Sequence, residues 1–401
     1  EVEYPGFRSW KKKTQVKSGL SSEFWNVLLV RENYEKEAYS RENIDYFFTS
    51  PKNNFLATAL NGANGLEIKI VDIESKNVEK EFIIPGFDLL PIEKRENIEW
   101  SPSQNSRISV PVVKKGLPEE ERDYFILNLD DNTSFSLKEF LGVSSIRDVR
   151  WDPEKEDYLF FLSQNNLYRA NISLKEDLLL ITDEAASFDL SKTDVYFSQN
   201  SNHITYKKPL SGNGEKSQVT YDFPKDLEGN IVKMIVYDNE RIAFWDESDN
   251  LFIYNQGEEG AYFKKLGSSI EGLHFSDDGK KLLFWTKNEI SAYFLRDWNV
   301  QPIRQENDFT NVARYIEEIK NVQWFSDYEH VIFSVGPYVK VIELDSRDRR
   351  NSSDIITTKT SSPFVIANAY LEKLFFIDSV SENKNDLFSI EFPEKTSFLG
   401  L

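Results

Sequence analysis

Four polar residues stand at one recurring position of this chain, each directly before an aromatic residue. They are Glu99, Arg150, His274 and Gln323, followed by Trp100, Trp151, Phe275 and Trp324. Together they supply a carboxylate, a guanidinium, an imidazole and an amide, a set that can bind a small ligand or order a column of water. Neighbouring residues of a strand point to opposite faces, so each polar residue turns toward an interior channel or toward the next repeat. The alternative role is polar filling of a solvated channel.

A second candidate is the aromatic side chain of Trp298, which lies two positions after Arg296. An exposed tryptophan beside an arginine is typical of protein interfaces and of surfaces that stack on sugars. We therefore expect Trp298 and Arg296 to face a partner. Packing of the indole between repeats is the alternative.

The sequence carries no signature of a catalytic centre. It has no Gly-x-Ser-x-Gly elbow, no Gly-x-x-x-x-Gly-Lys-Ser/Thr loop and no His-Glu-x-x-His pair. Only three histidines are present, far apart at positions 203, 274 and 330, and there is no cysteine. The lack of cysteine excludes disulfides, thiolate metal sites and cysteine nucleophiles. We predict that the chain is not an enzyme.

Two acidic turns resemble calcium-binding loops without completing the pattern. The turn at Asp246–Asn250 has oxygen-bearing side chains, but it lacks the glycine and the glutamate that such loops place at positions six and twelve. The turn at Asn128–Ser134 is followed by Glu139 at position twelve, but Thr133 replaces the glycine. Both also fit turns in which Asp or Asn bonds to its own backbone. We predict no cofactor, with calcium at these turns as the alternative.

The balance of charge argues against a nucleic-acid partner. The chain has 48 basic and 67 acidic residues, a formal net charge of −19. A polyanion is repelled by such a surface, and no basic stripe interleaved with aromatics offsets the repulsion. No run reaches the roughly 18 apolar residues that a membrane span requires. The chain begins at Glu1 rather than at methionine, so we expect membrane anchoring only through a segment upstream of Glu1.

The elements that position these residues form a repeat. A hydrophobic-aromatic step, a polar turn and a second apolar run recur at a period of roughly 40 to 50 residues, which is typical of repeat architectures. The copies are Phe47–Pro51, Ile98–Pro102, Val149–Pro153, Val195–Ser198, Leu273–Gly279 and Val322–Asp327, with two degenerate copies near positions 237 and 367. The aromatics are mostly Phe (30) and Tyr (18), which favour strands. The pattern predicts an all-β propeller of four-stranded antiparallel blades, eight in number, with seven as the alternative.

The turn residues between short apolar runs predict individual strands, with each aromatic on the first strand of its blade. In the third repeat the predicted strands are 146–151, 158–162, 167–172 and 178–182. In the sixth repeat the fourth strand is expected at Val300–Arg304, followed by a short helix at Asn307–Glu318. A long loop at Asp345–Thr360 is expected to bind a partner.

The eighth repeat supplies only three strands, at 364–367, 373–378 and 386–392. Propellers commonly complete the last blade with a strand from the other terminus. The apolar run Phe24–Val30 is a suitable donor.

The repeat resembles those of the Tol translocation protein and of the dipeptidyl-peptidase propeller domain. In those families an aromatic-Ser-Pro-Asp-Gly-Lys stretch precedes an apolar strand, and Phe275–Lys280 matches it except for the proline. The resemblance covers residues 45 to 392 in outline and implies architecture only.

The first 30 residues resemble the closing half of a PEGA domain. They carry Tyr4-Pro5-Gly6-Phe7, then Trp10, then Thr14–Leu20, and a last apolar run that ends in Leu28-Leu29. The resemblance implies a small β module of bacterial or archaeal surface proteins, often behind a membrane helix and ahead of a propeller. It divides the chain into residues 1–35, a PEGA-like remnant or closing strand, and residues 36–401, the propeller. Residues 24–30 can serve only one of the two sheets.

These features together predict a non-catalytic propeller at the cell envelope, extracytoplasmic and membrane-anchored in the full-length protein. It is expected to act as an interaction scaffold for a protein or a surface glycan. The rival readings are a dipeptidyl-peptidase-like propeller without its hydrolase domain, and a propeller that binds a small ligand or carbohydrate in its channel.

Overall fold

The structure, a computed structural model, describes residues 1–15, 18–39, 43–52, 54–90, 98–102, 106–118, 121–174, 177–381 and 384–393. Over these residues the chain forms 33 strands and one short helix. The first strand, β1, is Glu37–Ala38. The prediction of an all-β chain is confirmed.

The strands group into eight antiparallel sheets, the blades of an eight-bladed β-propeller. The prediction of eight blades is confirmed, and the seven-bladed alternative is wrong. The chain divides into two compact units, which we describe separately. The five-blade unit is Asp45–Ser269, and the three-blade unit combines Glu1–Ile44 with Ile270–Leu401.

The five-blade unit begins with two blades and the helix. Blade one consists of β2 (Tyr46–Thr49), β3 (Phe55–Gly62), β4 (Gly65–Asp72) and β5 (Val78–Pro85). Blade two consists of β6 (Phe87–Leu89), β7 (Glu99–Trp100), β8 (Arg107–Lys114), β9 (Arg122–Asn128) and β10 (Thr133–Ser136). Both β6 and β7 pair with β8, so two short strands share the innermost position. Helix α1 (Leu137–Leu141) follows, capped by the Ser136 hydroxyl and ended by Gly142 at φ 67°.

Three regular blades complete this unit. Blade three consists of β11 (Arg147–Trp151), β12 (Tyr158–Ser163), β13 (Asn166–Asn171) and β14 (Leu178–Thr182). Blade four consists of β15 (Ala185–Leu190), β16 (Asp194–Gln199), β17 (Thr205–Pro209) and β18 (Ser217–Gln218). Blade five consists of β19 (Ile231–Val236), β20 (Arg241–Asp246), β21 (Leu251–Gly257) and β22 (Gly260–Gly267).

The three-blade unit holds blades six to eight. Blade six consists of β23 (Gly272–Phe275), β24 (Lys281–Trp285), β25 (Glu289–Phe294) and β26 (Phe309–Arg314). Blade seven consists of β27 (Ile319–Trp324), β28 (His330–Val335), β29 (Tyr338–Glu343) and β30 (Ser352–Thr357). Blade eight consists of β31 (Val365–Asn368), β32 (Lys373–Ser381), β33 (Lys384–Glu391) and, in the outermost position, β1.

The N-terminal region therefore completes blade eight, but through a different segment from the predicted one. Glu37 pairs with Ser389 and Ala38 with Phe388. Residues Phe24–Val30 form no strand, so the assignment of the closing strand to that run is wrong. Instead, Val30 belongs to the apolar core of blades seven and eight, and Leu28 packs against that core.

Four further predictions of strands, helix and loop differ from the structure. The Val195–Ser198 copy lies on the second strand of blade four, not on the first. The fourth strand of blade six is β26, whereas the 300–304 stretch contributes only a single bridge from Trp298 to Arg304. The predicted helix at 307–318 is therefore wrong. The predicted loop at 345–360 contains β30 in its second half.

The burial of each strand depends on its position in the blade. The second strands are mostly buried, and all six residues of β28 are buried, including the polar His330 and Ser334. The outermost strands are more exposed, and in β14 only Ile181 is buried. Clusters of buried residues join consecutive blades within each unit, with Trp100 in the core of blades one and two and Trp151 in that of blades two and three. Packing of consecutive blades against each other within a unit accounts for this burial.

Within the described residues, no helix has the length and apolar character that crossing a bilayer demands.

Candidate functional site

In the five-blade unit, Glu99 and Arg150 contact each other across blades two and three. The Arg150 Nε atom forms an ion pair with Glu99 Oε1. The other carboxylate oxygen of Glu99 accepts a hydrogen bond from the backbone N–H of Trp151 at 3.2 Å. The Trp151 indole N–H donates to the Glu99 carbonyl at 3.1 Å. Two of the sequence-predicted residues thus meet, and their contacts join two neighbouring blades.

Asp189 on β15 extends this set of contacts, and the sequence reasoning missed it. Its carboxylate accepts from Arg150 Nη1 at 2.9 Å and from the backbone N–H of Val236, on blade five, at 2.8 Å. Asp189 was missed because the first strand of blade four was placed at 195–198. The usable signal was the Phe188-Asp189 pair, an aromatic and a polar residue beside each other as at the other copies.

Gln323 makes the equivalent contacts in the three-blade unit. Its side-chain carbonyl accepts from the backbone N–H of Ala367 on blade eight at 2.9 Å. Asn321, two positions earlier, accepts from the N–H of Val365 at 3.2 Å and donates to the Pro363 carbonyl at 2.7 Å. Two side chains of one strand of blade seven are therefore bonded to the first strand of blade eight.

The innermost strand of a blade is a sheet edge, and this explains the recurring polar position. An edge strand has backbone N–H groups without a ladder partner, and leaving such groups unsatisfied is unfavourable. Glu99, Asp189 and Gln323 each accept one of these N–H groups from the next blade. Their polar chemistry thus fixes neighbouring blades to each other.

His274 differs from the other members of the set. Its side chain is exposed, and its ring meets the Trp285 ring edge-on at 5.4 Å. Its backbone carbonyl joins blades six and seven by accepting from the Trp324 indole at 3.1 Å.

Trp298 is half-buried and covers a buried ion pair. The Lys281 ammonium lies 3.9 Å from the centre of the indole ring. Lys281 is fully buried, donates to the Tyr328 carbonyl at 2.7 Å and pairs with Glu329. Burial raises the pKa of Glu329, while Lys281 opposes the rise. Arg296, also half-buried, donates to the carbonyl of Leu295.

The pH dependence of stability tests the Glu99 contact. Burial raises the pKa of Glu99 above its ordinary value of 4.5, although Arg150 opposes the rise. A raised folded-state pKa gives a contribution to stability that is complete below the ordinary value and is lost as pH rises through the raised value. In urea unfolding at a series of pH values, we expect the stability of wild type relative to Glu99→Gln to fall as pH rises above 4.5. A difference that is flat or rises with pH would contradict this, and exposed Glu154→Gln serves as the control.

An open groove lies at one end of blades three, four and five. It has a volume of about 550 Å³ and is lined by Arg150, Trp151, Pro153, Leu190–Asp194, Tyr196 and Val236–Asn239. The Tyr196 hydroxyl donates to Asn239 at 2.5 Å, and burial raises the pKa of Tyr196 to about 12. The Arg241 guanidinium lies 4.4 Å from the centre of the Tyr237 ring. Lys192 is exposed at the edge of the groove.

The segment of residues 1–34, which we call the N-terminal segment, packs against blade seven. Its main anchor is Glu343, whose side chain is 3% exposed. Glu343 accepts from the Trp10 indole at 3.0 Å and pairs with the Lys12 ammonium at 2.5 Å. The Lys12 side chain is itself only 1% exposed. The predicted partner-binding loop after Glu343 is thus held by this segment, since Lys12 also donates to the carbonyls of Asp345 and Arg349.

A cavity of about 300 Å³ lies between the N-terminal segment and blade seven. Arg8, Arg349, Arg350 and His330 are among its lining residues. Nδ1 of His330 lies 2.7 Å from a carboxylate oxygen of Asp327. Burial favours a higher pKa for Asp327, but the contact with His330 and the backbone N–H groups of Glu329 and His330 together lower the pKa.

The acidic turns have their oxygens occupied by local hydrogen bonds. Asp246 accepts from the backbone N–H groups of Ser248 and Asn250, both at 2.9 Å, and from that of Glu228 at 3.1 Å. Asp131 accepts from the Thr133 N–H at 3.0 Å. In the part of the chain that is described, no group of three or more His, Asp or Glu side chains is arranged to hold a metal ion.

No protein-family model matches this chain, and no curated protein matches it. Solved propellers are similar in structure. The C-terminal WD40 domain of Sif2 has a TM-score of 0.55 at 12% identity, covering 88% of this chain and 98% of that one. The Dos1 propeller has a TM-score of 0.56 at 10% identity, covering 89% and 94%.

A third similar structure is dipeptidyl peptidase 4 of Porphyromonas gingivalis. It has a TM-score of 0.53 at 10% identity and covers 86% of this chain, but only 56% of the peptidase. The propeller resemblance noted from the sequence is thereby confirmed at the level of fold. At these identities the likeness establishes the fold alone: the chain is a β-propeller.

Proposed function

We propose that this protein is a non-catalytic interaction scaffold that binds a protein partner in the groove of blades three to five. The observation that carries the proposal is the groove itself, about 550 Å³ in volume and open to solvent, with Tyr237 in its wall. Arg150, in the lining of the groove, is engaged by Glu99 and Asp189, which supports a structural role for this residue. Tyrosine, tryptophan and arginine dominate binding energy at protein interfaces. The likeness to a WD40 domain is consistent with this role.

We further propose that the scaffold lies outside the cytoplasm, at the cell envelope, and that residues 1–34 derive from a PEGA-like module. Support comes from the Tyr4–Leu29 pattern, the absence of cysteine and the net charge of −19. A surface glycan is the alternative partner. Labelling of intact producing cells with a membrane-impermeant amine reagent tests the location, since an envelope protein is labelled and a cytoplasmic one is not.

Site-specific photo-crosslinking tests the groove. A photoreactive residue at Lys192, exposed in the groove, is expected to capture a defined partner in the producing cells. The same residue at Glu259, exposed in the turn between β21 and β22, is the control and is expected to capture none. Equal capture from both positions, or capture from neither, would refute the groove as the binding surface.

Replacing Tyr237 with alanine then tests the affinity for the purified partner. Loss of an aromatic side chain from a binding groove is expected to weaken binding about tenfold or more, as measured by titration calorimetry. Tyr221, 80% exposed and outside the groove, provides the matched Tyr→Ala control. An unchanged affinity for Tyr237→Ala, in a variant that unfolds at the wild-type temperature, would contradict the proposal.

Small-ligand binding is the second candidate function. It is favoured by the cavity between the N-terminal segment and blade seven, which is near the lower end of the usual size for such sites.

A further inference from the structure

The cavity between the N-terminal segment and blade seven is positively charged in a strongly acidic protein. Its lining includes three arginines, Arg8, Arg349 and Arg350, and no aspartate or glutamate. The chain as a whole has a net charge of −19. Within the described residues, none of the three guanidinium groups forms an ion pair. Three arginines without ion pairs that line one cavity favour a bound anion.

The acidic groups nearest this cavity are already engaged by other partners. One Glu343 oxygen accepts from Trp10, and the other binds Lys12 and the backbone N–H of Asn351. Asp345 accepts a hydrogen bond from Arg347 on each of its two oxygens. Both carboxylates attract Arg350 at a distance, but among the described residues neither forms an ion pair with any of the three arginines.

Arg350 carries the most direct indication of a ligand. Its Nε–H is buried and has no hydrogen-bond partner among the described residues. A buried donor without an acceptor is unfavourable, and a guanidinium edge fits the two oxygens of a carboxylate or phosphate. Burial and the nearby Arg304 also lower the pKa of Arg350, although the group stays charged.

We propose that this cavity binds the oxyanion group, a carboxylate or a phosphate, of a small molecule. Arg350 would hold the anion from blade seven, and Arg8 from the N-terminal segment. The hydroxyl groups of Ser352 and Ser353 line the same space and can donate to it. Leu28, Val30 and Val341 line the rest and would contact the carbon skeleton of the ligand.

His330 adds a second polar contact to this site. Its Nδ1 is engaged by Asp327, and its other ring nitrogen has no hydrogen bond within the described residues. Because His330 lines the cavity, that nitrogen is available to a hydroxyl or an oxygen of the ligand. A ligand bound here would contact both the N-terminal segment and blade seven, and would strengthen their association.

Calorimetric titration of the full chain, at about 150 mM salt to screen weak surface attraction, tests the proposal with two probes. Inorganic phosphate represents the phosphate source and glucuronate the carboxylate source. We expect saturable binding of at least one probe, and a loss of affinity of about tenfold or more in Arg350→Gln. Arg314→Gln, 78% exposed on blade six, is the control and should bind as wild type does.

The possible outcomes distinguish a phosphate ligand from a carboxylate ligand, and both from the absence of an anion site. Binding of phosphate alone assigns a phosphorylated ligand, and binding of glucuronate alone assigns an acidic sugar or related acid. Arg8→Gln, at an exposed residue whose backbone N–H bonds to the Val30 carbonyl, gives a second variant if Arg350→Gln fails to fold. No saturable binding of either probe, or equal affinity in the arginine variants and wild type, overturns the proposal. Neither result bears on the groove of blades three to five.

Discussion

Replacing Lys281 with methionine is expected to lower the free energy of unfolding by about 3–5 kcal/mol. Lys281 is fully buried, and its ammonium is the partner of Glu329, whose side chain is 9% exposed. Methionine keeps most of the volume beneath Trp298 but leaves Glu329 and the Tyr328 carbonyl without a donor. Urea unfolding followed by tryptophan fluorescence measures the change.

Two further variants identify the cause of this loss. Lys280→Met changes a neighbouring lysine that has no buried carboxylate partner, and it is expected to stay within about 0.5 kcal/mol of wild type. Adding Glu329→Gln to Lys281→Met removes the buried charge and is expected to restore part of the stability. Without Lys281, the rise in the pKa of Glu329 that burial causes loses its main opposing contact, so the loss of stability should be larger at neutral than at acidic pH. A Lys281→Met protein as stable as wild type would contradict the buried pair.

Replacing Lys12 with methionine is expected to release the N-terminal segment from blade seven. The Lys12 side chain is 1% exposed and Glu343 3%, so the variant leaves a buried carboxylate uncompensated, at a cost of about 3 kcal/mol. Opening of the segment would become roughly a hundredfold more frequent. Hydrogen exchange measured by mass spectrometry should show this at the amides of Lys13 and Glu23, which donate to Asp348 and Gln301.

Lys11→Met is the matched control for that experiment. Lys11 is half-exposed and, among the described residues, its ion pairs are with Glu1 and Glu3 on the same segment, so its loss should leave exchange at Lys13 and Glu23 unchanged. The double variant Lys12→Met with Glu343→Gln should exchange more slowly than Lys12→Met alone. Unchanged exchange in Lys12→Met would mean that other contacts hold the segment.

The repeat in the sequence was sufficient to predict the fold because each blade carries its own local signals. In blade three, the predicted strand at 178–182 coincides with β14, and the predicted strand at 158–162 is one residue shorter than β12. Turn residues and short apolar runs are local properties, so they survive in a single sequence.

The wrong strand in blade four and the wrong helix at 307–318 also have physical causes. Val195–Ser198 is buried along its length and has the aromatic pattern expected of a first strand. The true first strand of blade four begins instead with the small residues Ala185 and Ala186. Phe309, Val312 and Ala313 fit a helical spacing, but short apolar runs do not distinguish helix from strand. They belong to β26, whose register shifts between its pairings with Ile290 and Ser291.

The candidate sites were only partly predictable because they depend on contacts that are distant in sequence. Glu99, Arg150 and Gln323 were identified from their position before an aromatic residue. Asp189 could be identified only if the first strand of blade four was placed correctly. Glu343 lies 333 residues after Trp10, and nothing local marks that pair. The cavity arginines were not identified either, since each is an ordinary charged residue until the N-terminal segment packs on blade seven.

The pairing of β1 with β33 has a consequence for synthesis of the chain. Glu37 and Ala38 leave the ribosome before any residue of blade one, yet their partners Phe388 and Ser389 are made after blade seven. Strand β1 therefore emerges before the other strands of its sheet and can pair only after β33 has been made. Until then it is an unpaired strand that can pair wrongly with other segments. Completion of blade eight thus waits for the synthesis of Lys384–Glu391.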